Sequence, residues 1–332
     1  MQFAALILPT GPLVDAKQAS EACLSPIAGK TLHQWLVDAA LGASVRRVAV
    51  ISSDLSPQTR SEFDLRSDDP MIHIVGFPEG AIVDTVSEAV NKIGSDFTLR
   101  DATHLLLLPA GCPQITTADI RRVIDHHVVT EAAATICSGE VDDNLAEPVI
   151  SRDAHGWVSS IADVPRGGGE IACFRADVFL PALRRTRRGL DFDGLGVEAA
   201  SVLGEAGHHV ETLEFPGRLE VVRSGASRAG VEATLRGRIL AEWIDRGVMM
   251  PDPNQVSIDA TVHLGKGVTV LPGSVIEGRT VVADGARIGP NSHLVNATIG
   301  SSAEVPHSVV EGVEVPPRSA LRPFTVLRPT AG

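Results

Sequence analysis

A chain of 332 residues with 44% hydrophobic and 21% charged residues has apolar content for a buried core and length for two domains. Its formal net charge of −12 repels phosphate backbones and anionic lipid surfaces, so neither nucleic acid nor a membrane is an expected partner. No apolar run reaches the ~18 residues of a membrane span, and the start, Met1-Gln-Phe-Ala-Ala-Leu-Ile-Leu-Pro9, lacks the basic region and cleavage site of a signal peptide.

That start reads as a first strand over Phe3–Leu8, and further strands are expected over 47–51, 72–75, 104–108 and 132–136. Helical patterns lie between them over 32–41, 83–93 and 117–128. Leu105, Leu106, Leu107 and Leu108 show no polar alternation, as expected of a strand covered on both faces. This βαβα order predicts a parallel sheet with helices on both sides and ligands beyond the carboxyl ends of the strands. The loops after Leu8 and Leu108 are therefore the places to look. Cys23, Cys112, Cys137 and Cys173 form no C-x-x-C pattern and read as buried thiols of a reducing cytoplasm.

Arg166-Gly-Gly-Gly-Glu170 is not a phosphate loop, because no Lys-Ser/Thr pair follows. A hairpin or a lip over the cleft fits it better, with a strand over 171–174. The basic run Arg184-Arg185-Thr186-Arg187-Arg188 is either a solvated helix end or an anion or partner site. Residues 225–246 place Val231, Leu235, Ile239, Leu240 and Trp243 on one helical face, with Gly247 closing the helix. Such a helix is either an arm between two domains or a last helix packed on the sheet.

From Ile258 the chain counts in sixes. Ile258, Leu264, Val270, Ile276, Val282, Ile288 and Leu294 recur without a miss, each followed four residues later by Val262, Val268, Ser274, Thr280, Ala286, Ser292 or Thr298. Hexapeptide repeats build a parallel β-helix in which the first residue of each six points inward and the small or β-branched one fits a corner. Roughly four coils are expected. His263, His293 and His307 fall at turn-like positions where solvated histidines are the ordinary case.

The three parts in this order resemble the bifunctional N-acetylglucosamine-1-phosphate uridylyltransferase/glucosamine-1-phosphate acetyltransferase family. The stretches that carry the resemblance are Ala28-Gly-Lys-Thr-Leu32, Gly247-Val-Met-Met-Pro-Asp-Pro253 and Leu321-Arg-Pro-Phe-Thr-Val-Leu-Arg-Pro329. The resemblance implies a Rossmann-like α/β nucleotidyltransferase (GT-A-like) domain over 1–222, a helical arm over 223–252 and a short left-handed parallel β-helix over 253–332. It also implies a homotrimer assembled through the β-helix.

The motifs that would carry nucleotidyl transfer depart from that family. Its first strand runs into a glycine-rich loop with an arginine and then a lysine for the nucleotide phosphates. Here the loop reads Leu8-Pro9-Thr10-Gly11-Pro12-Leu13-Val14-Asp15-Ala16. Only Gly11 survives, with Leu13 at the second glycine's place, Asp15 at the arginine's and Ala22 at the lysine's. Pro9 and Pro12 remove two N–H donors. An aspartate ~4 Å from a phosphate charge is unfavourable by about 4 kcal/mol at an effective dielectric of about 20. The family's two magnesium ligands, an aspartate and an asparagine, are matched by Gly111 and Arg223, neither of which offers magnesium a hard oxygen. Its uracil-side G-T-G is matched by Ala81-Ile82-Val83.

Three expectations follow. The first is a nucleotidyltransferase-like protein without standard metal-dependent chemistry, which binds a nucleotide sugar or a catalytically intact relative. Thr10, Gly11, Gly111 and Arg223 are then its ligand-binding candidates, with no catalytic residue, metal or cofactor expected. The second is an active sugar-1-phosphate nucleotidyltransferase with a displaced site at Asp84, Asp101 or Arg223, which would need Mg2+. The third is an architectural trimeric scaffold. Arg223 itself either holds a phosphate or carboxylate bidentately or pairs with Asp15 or Glu220. The acetyltransferase step of the family needs further coils and a catalytic histidine, and is not expected. The pairs His126-His127 and His208-His209 show no acidic or thiol partner at ligand spacing.

Overall fold

The computed structural model describes residues 1–8, 25–52, 72–76, 101–138, 149–162, 170–186, 194–215 and 219–329. The chain divides into two compact units, one of Met1–Ser25 with Thr31–Arg228 and one of Pro26–Lys30 with Ala229–Gly332.

In the first unit, β1 (Phe3–Leu8), α1 (Leu32–Gly42), β2 (Arg47–Ser52), β3 (Ile72–Gly76), β4 (His104–Pro109), α2 (Thr117–Thr130) and β5 (Ala134–Ser138) follow the expected alternation. After them come β6 (Val149–Arg152), β7 (Val158–Ala162), β8 (Glu170–Arg175), α3 (Ala176–Leu183), α4 (Leu195–Glu205) and β9 (Val210–Glu214). A seven-stranded sheet runs β3-β2-β1-β4-β8-β5-β9, and β6 and β7 form a separate hairpin. The sheet is mixed and not wholly parallel as expected, because β8 runs antiparallel to both β4 and β5. Between β5 and β8 the described chain holds the β6–β7 hairpin, so β8 is not bound to the direction that a crossover helix would impose. The expected helix over 83–93 lies outside the described residues.

Helices cover both faces, as the sequence predicts. Leu6, Leu105, Leu107 and Phe174 join one core with Phe179 of α3 and Leu195, Ala199 and Leu203 of α4. The alternate residues Ile7, Leu106 and Leu108, each 0% exposed, point to the opposite face. There α1 and α2 pack against each other and against the sheet. Both helices start on a capping box: Thr31 Oγ1 accepts from Gln34 N–H at 3.2 Å, and Thr116 Oγ1 from Asp119 N–H at 3.2 Å. The fifth strand starts at Ala134 instead of residue 132. Glu131 ends α2 in the left-handed region at φ 53, and Ala133 N–H is spent on His209 C=O.

The second unit opens with α5 (Gly225–Asp245), whose first residues cluster with the sheet unit. Val231, Leu235, Ile239 and Leu240 are its buried face, and Gly247 at φ 91 closes it. Trp243 is half-buried, with the Arg246 guanidinium 5.1 Å above its ring.

The hexads then wind into a parallel β-helix with three stacks of short strands. One is β10 (Ser257–Ile258), β13 (Val275–Glu277), β16 (His293–Val295), β19 (Val309–Glu311) and β21 (Val326–Leu327). The next is β11 (His263–Leu264), β14 (Val281–Val282), β17 (Thr298–Ile299) and β20 (Glu314–Val315), and the third β12 (Thr269–Val270), β15 (Arg287–Ile288) and β18 (Glu304–Val305). Ile258, Val270, Ile276, Ile288 and Leu294 are all 0% exposed, so the column predicted to point inward does so.

The corner position fails once. Thr298 is exposed, and Ala297, 0% exposed, fills the corner in its place. The turn before it is one residue short: Val281 pairs with Thr298, where a strict period would bring Ile299. Asn296 at φ 49 makes the tighter turn, and its Oδ1 accepts Arg279 N–H from the preceding coil at 2.9 Å. The column resumes on Ile299, Val305, Val310 and Val315, each 0% exposed. His263 and His293 lie on strands, not in turns; only His307, at φ 46, has the expected turn geometry.

Candidate functional site

β1 and β4 end side by side. Leu8 pairs with Pro109, and Ala110 N–H donates to Leu8 C=O at 2.8 Å. Past β4 the chain turns through Gly111, Cys112, Pro113 and Gln114, all buried. The segment 219–223 lies across this turn. Val222 N–H donates to Gly111 C=O at 2.9 Å, and Gln114 Nε2 donates to Glu220 C=O at 2.7 Å. Leu219 and Val221, 6% and 8% exposed, anchor the segment from beneath.

Gly111 and Arg223, far apart in sequence, are thus one hydrogen bond and one residue from each other at the carboxyl edge of the sheet. Arg223 is exposed, and its N–H donates to Ser227 Oγ at 2.9 Å. Ser224 and Ser227 close the first turn of α5 around it, Ser227 N–H donating to Ser224 Oγ at 3.2 Å. The sequence reading missed Gln114, Ser224 and Ser227. A Ser-x-x-Ser pattern opening a helix is a capping signal that could have found the last two.

Glu170 is a further carboxylate at this edge, because antiparallel β8 begins where its neighbours end. It is committed to structure: its Oε1 accepts Val197 N–H in the first turn of α4 at 3.3 Å. Thr10, Gly11, Leu13, Asp15, Ala22, Asp84 and the stretch 81–83 lie outside the described residues, as do Arg166, Arg187 and Arg188. Arg184 and Arg185 are exposed just past the end of α3, which favours the solvated helix end.

The structure removes Asp101 from the displaced-site candidates. It precedes β4 and pairs with Arg47, the first residue of β2, at 3.2 Å. That is the amino end of the sheet, about 20 Å of strand away from Gly111. Among the described residues no group of three His, Cys, Asp or Glu side chains is placed to hold a metal ion.

His104, His126, His127 and His209 cluster at the same amino end. His127 is 1% exposed, its Nδ1 lies 2.8 Å from Thr135 Oγ1, and its ring stands edge-on to His104 at 5.3 Å. Burial, followed by the neighbouring His104, His126, Arg175 and His209, pulls its pKa down to about 4. His33, buried on α1, is lowered to about 4 by burial alone. His209 does have an acidic partner, contrary to expectation: its Nε2 lies 2.7 Å from Glu211 Oε1, and its ring stacks on Trp157 at 4.3 Å. His209, just before β9, and Glu211 on it are two residues apart, a spacing that ligand patterns do not include. Cys112, Cys137 and Cys173 are buried thiols. Burial raises the Cys137 thiol to about 12 and pushes Cys173 further up, so both are unreactive thiols.

A mixed-sheet unit followed in sequence by a hexapeptide β-helix is the architecture that the sequence resemblance implied. No family model matches the chain. Relatives match it nearly end to end. The bifunctional protein GlmU of Geobacillus sp. (strain WCH70) is 26% identical over 340 residues, covering 98% of this chain and 72% of its own. Those of Caldanaerobacter subterraneus subsp. tengcongensis and Bifidobacterium longum (strain NCC 2705) are each 24% identical, covering 99% and 98% of this chain and 72% and 73% of their own. The chain is GlmU-like along almost its whole length. No helix among the described residues is long and apolar enough to cross a membrane.

Proposed function

We propose that this protein is nucleotidyltransferase-like and acts by binding a nucleotide sugar, or a catalytically intact relative, without magnesium-dependent uridylyl transfer. The observation that carries the reading is the pair Gly111 and Arg223. They are neighbours at the carboxyl edge of the sheet, at the two places where the resemblance expects magnesium ligands. A glycine has no side-chain oxygen, and a guanidinium is a permanent cation that repels a divalent ion. These residues do not fit the metal. A guanidinium suits an anion instead, since it can give a phosphate or carboxylate a forked pair of donors. Arg223 is the anion anchor of this proposal, and Thr10, Gly11 and Gly111 are its remaining ligand-binding candidates.

Calorimetry with UDP-N-acetylglucosamine, with and without Mg2+, tests this. Binding independent of Mg2+, and weakened by Arg223→Ala, is expected. Micromolar UTP binding that requires Mg2+, with pyrophosphate release on adding a sugar 1-phosphate, would establish the active transferase instead.

The proposal extends to assembly. The β-helix is left-handed and joins three copies, as in the family that the sequence resembles. Val281 and Val326, 45% and 58% exposed on its outer faces, supply apolar area for such contacts. Light scattering that finds a monomer at micromolar concentration would refute the trimer.

A further inference from the structure

A guanidinium grips an anion through two parallel bonds only when its fork is aimed, so an anchor at Arg223 needs a backbone held still beneath it. That hold comes from two sides, both within the sheet unit.

The first is the turn after β4. Cys112 N–H donates to Pro109 C=O at 3.1 Å and Ile115 N–H to Cys112 C=O at 3.2 Å, and Thr116 then caps α2. Gln114 belongs to this closed turn and is 5% exposed. A buried amide is costly unless its polar atoms are bonded, and its Nε2 donates to Glu220 C=O at 2.7 Å, across 106 residues of sequence. Together with the bond from Val222 N–H to Gly111 C=O, this ties residues 220 and 222 to the turn. The Val222 bond is backbone alone and open to any sequence, whereas the Glu220 bond needs the Gln114 side chain.

The second is Ser227. Its Oγ accepts Arg223 N–H at 2.9 Å and Ser224 N–H at 3.0 Å. Those two N–H groups belong to the peptide planes on either side of the Arg223 Cα. One oxygen therefore constrains both planes, and with them the direction of the Cα–Cβ bond. The Ser227 hydroxyl in turn donates to Ser224 C=O at 3.1 Å. Two bonds accepted and one donated are the full capacity of a hydroxyl.

We infer that Gln114 and Ser227 are positioning residues for Arg223: Gln114 sets where the segment 219–223 crosses the edge, and Ser227 sets the direction in which the Arg223 side chain departs. That Arg223 then meets an anion rests on the proposed function; the hold on its backbone does not.

The full chain is compared as wild type, Gln114→Met, Ser227→Ala and Ser227→Thr, each also in an Arg223→Ala and an Arg223→Lys background. Amide exchange is read without ligand at Val222, Arg223, Ser224 and Ala110, and UDP-N-acetylglucosamine binding by calorimetry. Gln114→Met keeps the length of the side chain and loses the donor, and is expected to speed exchange at Val222 about fivefold. Ser227→Ala is expected to do the same at Arg223 and Ser224, and Ser227→Thr, which restores the acceptor, to bring both back. Ala110, bonded to β1 at the same edge, stays within about twofold throughout. Ser227 lies at the surface, so its arm reports even if Gln114→Met fails to fold.

Unchanged exchange at these amides, or an equal rise at Ala110, would overturn the positioning. Gln114→Met and Ser227→Ala are each expected to weaken UDP-N-acetylglucosamine binding about three- to tenfold. That loss should shrink by at least half on a logarithmic scale in Arg223→Lys, which keeps the charge without the fork, and vanish in Arg223→Ala. An equal loss in all three backgrounds would show that neither residue acts through Arg223, and would overturn the inference. A wild type that binds no UDP-N-acetylglucosamine refutes the proposed function, while the four amides still decide the hold on the backbone.

Discussion

Acidification from pH 7 to pH 5 is expected to loosen the sheet unit through two buried histidines. His127 and His33 are 1% and 4% exposed, and each has its pKa lowered from 6.5 to about 4. The unfolded chain takes up a proton on each as pH falls through 6.5, whereas the folded chain does so only near pH 4. Stability is therefore intact above pH 6.5 and is lost progressively between there and pH 4. Integrating that window gives about 2 kcal/mol per histidine between pH 7 and pH 5. His127 illustrates the cause. Its protonated ring would sit in the core facing His104, His126, Arg175 and His209, four groups that disfavour a further positive charge.

The assay is urea unfolding of wild type and His127→Gln at pH 7 and pH 5 in a Trp243→Phe background, so that Trp35 and Trp157 report on the sheet unit. Glutamine keeps a partner for Thr135 and cannot titrate. It is expected to cost about 1–3 kcal/mol at pH 7 through imperfect packing, and to recover about 2 kcal/mol of the acid loss. Equal pH dependence in the two proteins would refute the reasoning. Asp259 does not confuse the comparison: burial raises its pKa, so it works in the opposite sense, and it is shared by both proteins.

Other expectations are quicker to check. Ala297→Leu overfills a closed corner and is expected to destabilise the β-helix by about 1–3 kcal/mol in thermal unfolding, whereas Thr298→Asp stays within about 0.5 kcal/mol. A reversal of that order would mean that the corner sits where a strict sixfold count puts it. Cys112, Cys137 and Cys173 are expected to resist iodoacetamide at pH 8 until the chain unfolds; rapid labelling of the native protein at any of them would contradict their burial. Asp101→Asn breaks a half-exposed pair with Arg47 and is expected to cost at most about 1 kcal/mol, with UDP-N-acetylglucosamine binding unchanged. A loss of binding there would return Asp101 to the ligand edge.

How far the sequence could be read depended on whether a residue's neighbours were also its sequence partners. The inward column from Ile258 onward and the run from Leu105 to Leu108 were legible because burial imposes a period on them. The direction of β8 was not, since a strand's side-chain pattern is the same whichever way it runs. Two helices went unseen because their own sequences argue against them. α3 carries Pro181, and α4 opens on Gly194-Leu195-Gly196 with no side-chain cap. Of the candidate site, Gly111 and Arg223 were placed by counting from distant motifs, and Val222, next to Arg223, bonds to the Gly111 carbonyl. Gln114 was not expected there, because its partner is the Glu220 carbonyl, a group that no sequence pattern advertises. The slip from Thr298 to Ala297 has a similar origin: Asn296 shortens a corner without altering the residue types on either side.

That shortened corner has a consequence for how such a tail tolerates change. The stack keeps count by pairing each strand to the one beneath it, so a codon lost at a bend re-phases the following coil and leaves the wall continuous. The same loss inside a strand turns its inner wall outward. Insertions and deletions accepted by this tail are therefore confined to its bends.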